Sequence, residues 1–185
     1  MFLFKKGPPE AVNINLLIFS VDTPSSSGDD LIQDWLSGKY SAEIDKALDF
    51  DSAELALNFL ENLDPQKCLV KVGLELFISE GWKVLDLISE KGFEIFLDLK
   101  LHDIPNTVAN SVRKISNFNV ALTTIHLNGG KDMIEAASSE KRNIKILGVS
   151  ILTSLSKNDI FEITHTEFDT YFNNLISIAS NTNID

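Results

Sequence analysis

The sequence predicts an α/β fold of the (β/α)8, TIM-barrel type, incomplete, with about five β/α units and an irregular N-terminal extension. Three observations predict it. From Ile44 onward, short apolar runs alternate with helical spacings at roughly 20- to 30-residue intervals, which implies parallel strands joined by right-handed crossovers. Successive strands close on Asp49, Lys71, Asp98 with Lys100, and His126, all at the same end. A barrel gathers such residues at one mouth, whereas an open doubly wound sheet spreads them along a line. Finally, the chain has 185 residues, while a complete barrel takes about 250.

The first 42 residues read differently from the rest, so the expected division is a divergent extension, 1–42, and a partial barrel domain, 43–185. Within the extension, Val12 to Val21 has the composition of one strand, and Pro24-Ser-Ser-Ser-Gly28-Asp29 reads as a linker or turn. Asp29 is placed to cap a short helix through Leu31, Ile32, Trp35 and Leu36. The first unit then runs through Ala47-Leu48-Asp49-Phe50 into a helix capped by Ser52, with Leu55, Ala56, Phe59, Leu60 and Leu63 on one face. Cys68 to Gly73 is the second strand, followed by helical spacing from Leu74 through Ile88 and a stop at Gly92. The third strand spans Phe93 to Leu101, apolar on both faces as a buried strand requires, and its helix runs from Asn106 to Ser116. Val120 to His126 is the fourth strand, with a Gly129-Gly130 turn and a helix from Lys131 to Ser138. The fifth covers Ile144 to Leu152, and after a longer loop Phe168 to Ala179 forms a helix.

Composition narrows the function classes. An apolar content of 44% and a charged content of 23% suit a soluble globular domain. The net charge of −11 argues against a nucleic-acid-binding face. A single cysteine, Cys68, excludes an internal disulfide, and three histidines without clustered spacing make a structural metal unexpected. The apolar run Ile14 to Phe19 is too short to span a bilayer, and Met1 to Val21 lacks a small-residue cleavage site. The expected setting is the cytoplasm, without membrane association.

The chemistry concentrates in Asp98-Leu-Lys100-Leu-His-Asp103-Ile-Pro-Asn-Thr107. Alternation puts Asp98 and Lys100 on one face of the strand, and Asp103 follows in the loop with Pro105 opening the helix. Such a pair is also what a structural ion pair at a strand end looks like. With Lys71 and Asp49 at neighbouring strand ends, the lysines and carboxylates form an alternating array in which each charge keeps its neighbours ionised. A lysine held protonated in an apolar mouth can deliver a proton to a carbanion, and an adjacent carboxylate repels a substrate carboxylate. That combination suits decarboxylation or proton transfer beside a carbonyl.

The ten-residue stretch from Asp98 to Thr107 resembles the signature of the orotidine 5′-phosphate decarboxylase family, Asp-x-Lys-x-x-Asp followed by Ile-Pro-Asn-Thr. The resemblance extends to Ala47-Leu48-Asp49, Lys71-Val-Gly73 and Gly148 through Thr153-Ser154, covering roughly residues 45 to 185. It implies a carboxy-lyase free of metal and cofactor that converts orotidine 5′-phosphate to UMP and carbon dioxide in pyrimidine biosynthesis. Lys100 matches the lysine that protonates C6, and Asp98 the carboxylate beside the substrate carboxylate, in a Lys-Asp-Lys-Asp array of Lys71, Asp98, Lys100 and Asp103. Lys71 and Asp49 match residues that bind the ribose hydroxyls. Asp103 matches the aspartate that reaches the neighbouring subunit's site, with Ile104 and Thr107 beside it, so a homodimer is implied. Thr153 and Ser154 match the loop that contacts the pyrimidine. His126 is expected to be a hydrogen-bonded structural histidine, His102 has no assigned role, and Phe161 and Phe168 are read as core or loop packing.

Two departures from the family stand out. The family's first strand is apolar ahead of Ala-Leu-Asp, but here it reads Ile44-Asp45-Lys46-Ala47, and by alternation Lys46 points toward the helix layer, which suggests an altered N-terminus. Strands six to eight and the phosphate-gripping Gln and Arg have no counterpart, so a weakly active or inactive chain is expected. Two rival readings are a related sugar-phosphate decarboxylase or aldolase, against which the Ile-Pro-Asn-Thr tail argues, and a non-catalytic remnant of the family.

Overall fold

A computed structural model of the chain describes residues 15–20, 48–49, 57–58, 60–61, 63, 65–66 and 68–185. The expected linker after Pro24, the helix through Trp35, Lys46 and most of the Ser52-capped helix lie outside the described residues. The chain divides into two compact units, one of Ala11–Leu97 and another that begins at Asp98. The division falls inside a single strand.

In the first unit the elements are β1 (Asn15–Ser20), β2 (Leu48–Asp49), β3 (Cys68–Gly73), α1 (Leu74–Glu80), α2 (Lys83–Glu90) and the start of β4 (Glu94–Leu101). The strand order is β2-β1-β3-β4. Strand β1 is antiparallel to both its neighbours, with Asn15 opposite Asp49, and Leu16 and Ser20 opposite Val72 and Cys68. So the N-terminal extension contributes a strand to the sheet itself. β2 and β3 run in the same direction, as a β/α series demands, but they do not pair; each finds its partner in β1. The pairing with β3 runs from Leu16 to Ser20, whereas that with β2 covers Asn15 and Leu16 among the described residues.

The spacing from Leu74 through Ile88 predicts one helix, and the structure has two. Gly81 at φ 64° closes α1, its N–H donating to the Phe77 carbonyl at 2.8 Å. Left-handed backbone there suits glycine and ends the helix, and Trp82 starts α2 after it, its ring edge-on to Phe77 at 5.0 Å. Val84, Leu85 and Ile88 lie on the buried face of α2, and Val70, Val72, Leu76, Phe93, Ile95 and Leu97 are buried from the other elements of this unit. Lys91 reaches Glu61 at 2.8 Å, which holds the Glu61 carboxyl below its ordinary value.

The second unit carries the end of β4, then α3 (Pro105–Ile115), β5 (Val120–His126), a 3-10 turn (Leu127–Gly129), α4 (Gly130–Ser139), β6 (Lys145–Val149), α5 (Lys157–Thr164) and α6 (Phe168–Ser180). Its strand order is β4-β5-β6, with β5 and β6 parallel and His126 opposite Val149. Pro105 takes the first helical position of α3, where its missing N–H costs nothing. Val108, Val112 and Ile115 recur at helical spacing on the buried face of α3, and α3 packs on α4, whose Met133, Ile134 and Ala137 are fully buried. The Gly129-Gly130 pair is a turn before a helix: a side chain at 129 would run into Met133. β6 ends at Val149, three residues short of the expected strand. The longer loop expected before Phe168 contains a helix, α5, started by a capping box in which Ser156 and Asp159 exchange hydrogen bonds. Arg113 and Glu140 form a two-pronged pair at 2.7 Å that ties α3 to the end of α4 and pushes the arginine up and the glutamate down from their ordinary values.

Candidate active site

Strand β4 begins exposed at Glu94, is buried from Ile95 to Asp98, and opens to half-burial from Leu99 to Leu101. The change follows the sequence. A run of apolar residues gives way to alternating Asp98, Lys100 and His102, and a charge is tolerated in a low-dielectric setting only where it is paired and hydrogen-bonded.

Asp98 is 7% exposed and uses both carboxylate oxygens. Its Oδ2 accepts from Lys100 Nζ at 2.7 Å, and its Oδ1 accepts from the Thr124 hydroxyl at 2.8 Å. The same Thr124 oxygen accepts the Lys100 main-chain N–H at 2.9 Å. Alternation along β4 placed Asp98 and Lys100 together, and they are together. Just before the strand ends at Leu101, Lys100 has φ 51°, in the left-handed region that non-glycine residues rarely adopt. A conformation of this kind costs about 1–3 kcal/mol and persists only where the surroundings hold it. The Lys100 side chain is 39% exposed, while its partner Asp98 is buried.

Two histidines complete this cluster. His102 and His126 pack at 5.3 Å between ring centroids. The expectation of a hydrogen-bonded structural histidine is not met at Nδ1 of His126, which is buried without a hydrogen-bond partner among the described residues. Burial, then the nearby His102 and Lys100, lower the His126 pKa, against an opposing pull from Asp98. The neutral imidazole is therefore the favoured form.

Asp103 is exposed in the loop after β4, its carboxylate accepting the Ile104 N–H at 2.7 Å. Ile104 is 66% exposed, and Thr107 is exposed at the start of α3. Thr153 and Ser154 occupy an exposed turn after β6. Lys71 is buried in β3 of the first unit, at 7% exposure, and has a partner. The side chain of Asp49 lies outside the described residues.

Thr124 is the residue that reading the sequence missed. Its signal was present: Thr123-Thr124 interrupts an apolar strand, and a buried hydroxyl needs a partner. One of two adjacent strand residues must face each side, so one threonine had to share a side with His126.

Among the described residues there is no group of three or more histidine, cysteine or acidic side chains able to hold a metal ion, and no helix long and apolar enough to cross a membrane.

Comparison with known proteins gives a consistent result. The sequence profile of the "Orotidine 5'-phosphate decarboxylase / HUMPS family" matches residues 45–181. An orotidine 5′-phosphate decarboxylase of Chromohalobacter salexigens is 44% identical over 121 residues, covering 63% of this chain and 51% of that protein. One from Hydrogenovibrio crunogenus is 45% identical over 121 residues, with the same shares of 63% and 51%. The chain thus spans about half the length of the curated relatives it matches. Among solved structures, orotidine 5′-phosphate decarboxylase from Lactobacillus acidophilus superposes with a TM-score of 0.67 at 34% identity, over 75% of this chain and 66% of that one. An uncharacterised conserved protein from Geobacillus kaustophilus gives a TM-score of 0.67 at 30% identity, over 75% and 69%. The fold is thereby the α/β barrel type expected, incomplete in this chain.

Proposed function

This chain belongs to the orotidine 5′-phosphate decarboxylase / HUMPS family, and from that premise we propose that its site decarboxylates orotidine 5′-phosphate to UMP. The observation that carries this reading is the Lys100 ammonium held at 2.7 Å from the buried Asp98 carboxylate at the end of β4. An ammonium beside a carboxylate offers a proton donor next to a fixed negative charge, which is what loss of carbon dioxide from a ring carbon needs.

The bond between C6 and the carboxylate breaks with its electron pair left on C6. Carbon dioxide departs, and Lys100 delivers a proton to C6, later regaining one from solvent. Asp98 lies beside the substrate carboxylate, where like-charge repulsion raises the ground state and is relieved as the charge moves away. Lys71 and Asp49 hold the ribose hydroxyls, and Thr153 and Ser154 meet the pyrimidine. Asp103, flanked by Ile104 and Thr107, enters the site of a second copy, so the working form is a cytoplasmic homodimer in UMP biosynthesis. The exposure of Asp103, Ile104 and Thr107 supports that arrangement. Residues 43–185 form the domain that carries the chemistry, and it draws on neither a metal nor a cofactor.

The test is turnover of orotidine 5′-phosphate by the purified 185-residue protein, followed by loss of its ultraviolet absorbance, together with titration by UMP. Turnover with saturable UMP binding supports the reading. Binding of UMP without turnover reduces the chain to a nucleotide-binding member of the family, and absence of both overturns the assignment.

A further inference from the structure

Thr124 sits in the middle of the cluster and is 1% exposed. A hydroxyl offers one proton and two lone pairs, and here both functions are used on the same neighbouring strand end. The proton goes to Asp98 Oδ1 at 2.8 Å, and a lone pair receives the Lys100 N–H at 2.9 Å. With Lys100 Nζ on Asp98 Oδ2 at 2.7 Å, the bonds close a ring. It passes from Thr124 through the carboxylate to the ammonium, down the Lys100 side chain to its own N–H, and back to Thr124.

The ring encloses the one strained backbone position of β4. At φ 51° the Lys100 N–H and Cα–Cβ directions both differ from those of an extended residue, so the left-handed conformation sets where the ammonium points. Thr124 holds the donor that this conformation presents. It also fixes one oxygen of the carboxylate that the ammonium meets.

We propose that Thr124 is a positioning residue: its hydroxyl holds Lys100 in the left-handed turn and orients Asp98, and through these two contacts aims the Lys100 ammonium. The proposal rests on reading Lys100 as the proton donor. Thr124 acts through Asp98 and Lys100.

Thr124→Val removes the hydroxyl and leaves Asp98 Oδ1 and the Lys100 N–H without it, whereas Thr124→Ser keeps it. In Thr124→Val, kcat for orotidine 5′-phosphate falls about 10- to 100-fold while KM moves less than about threefold, since misaimed groups lose rate rather than ground-state binding. Thr124→Ser recovers most of the lost kcat. Hydrogen exchange of the Lys100 amide, followed by NMR, becomes at least about tenfold faster in Thr124→Val and not in Thr124→Ser. Unchanged Lys100 exchange in Thr124→Val overturns the proposal, as does a serine variant no better than the valine one. Should the unsubstituted protein show no turnover, the donor reading of Lys100 fails on its own. The exchange measurement, with a crystal structure of Thr124→Val, then still decides whether Thr124 holds the turn. A retained φ near that of the parent protein counts against it. If Thr124→Val does not fold, Thr124→Cys, close in size and a weak hydrogen-bonder, takes its place in the same measurements.

Discussion

The end of β4 and the turn after β6 both carry residues proposed for the site, and they are held in opposite ways. At the end of β4 the bonds are long-range: Thr124 lies 24 and 26 positions from the residues it ties together, and the groups it joins are buried or half-buried. At the end of β6 the bonds are local. Leu155 donates to the Leu152 carbonyl at 3.0 Å, and Ser156 and Asp159 bond each other across three residues, while Thr153 and Ser154 stay exposed. Long-range bonds between buried groups fix direction and resist solvent, as a proton donor requires. Local bonds order a turn cheaply and leave it adaptable, which suits a loop that meets a ligand.

The contrast can be broken in three ways. Largest, Lys100→Ala should lower kcat for orotidine 5′-phosphate by about 100- to 10,000-fold, the usual cost of losing a general acid. An effect below about tenfold would make the β4 cluster the structural ion pair that its spacing also allows. Next, Ser156→Ala should cost about 1 kcal/mol of unfolding free energy through loss of the α5 cap, measured by urea denaturation. It should leave the Lys100 amide as protected as before; deprotection there would mean that the two strand ends are not independent. Smallest, stability should depend on pH through His126. Its folded-state pKa lies below the ordinary value of 6.5, so the unfolded chain binds the proton more readily. The contribution is present above about pH 6.5 and lost as pH falls below it. Denaturation midpoints at about pH 7.5 and 5.5 should differ less in His126→Gln than in the parent protein. An equal difference would place the titrating group elsewhere.

What could be read from the sequence was what short-range rules encode. The bounds of β3 and β5, the Asp98–Lys100 pair and the Pro105 start of α3 follow from alternation and local propensity. The break at Gly81 was hidden because apolar residues continue at helical spacing on both sides of it. Helix α5 was read as loop because its box uses Asp159 where glutamate or glutamine is the usual partner. The antiparallel insertion of β1 and the bridging role of Thr124 are pairings between distant segments, and no local pattern specifies a partner. For the site, the charged residues announced themselves, while the neutral hydroxyl joining them did not.

The left-handed backbone at Lys100 makes position 100 a place where folding and chemistry ask for different residues. The backbone favours glycine, which enters that region without a steric penalty. The proposed chemistry needs a long cationic side chain. Lys100→Gly and Lys100→Ala remove the same ammonium, so comparing their stabilities isolates the backbone. Glycine should be the more stable of the two by about 1 kcal/mol in chemical denaturation. A gain of that size on replacing Lys100 by glycine would measure what the fold gives up to present an ammonium at this position.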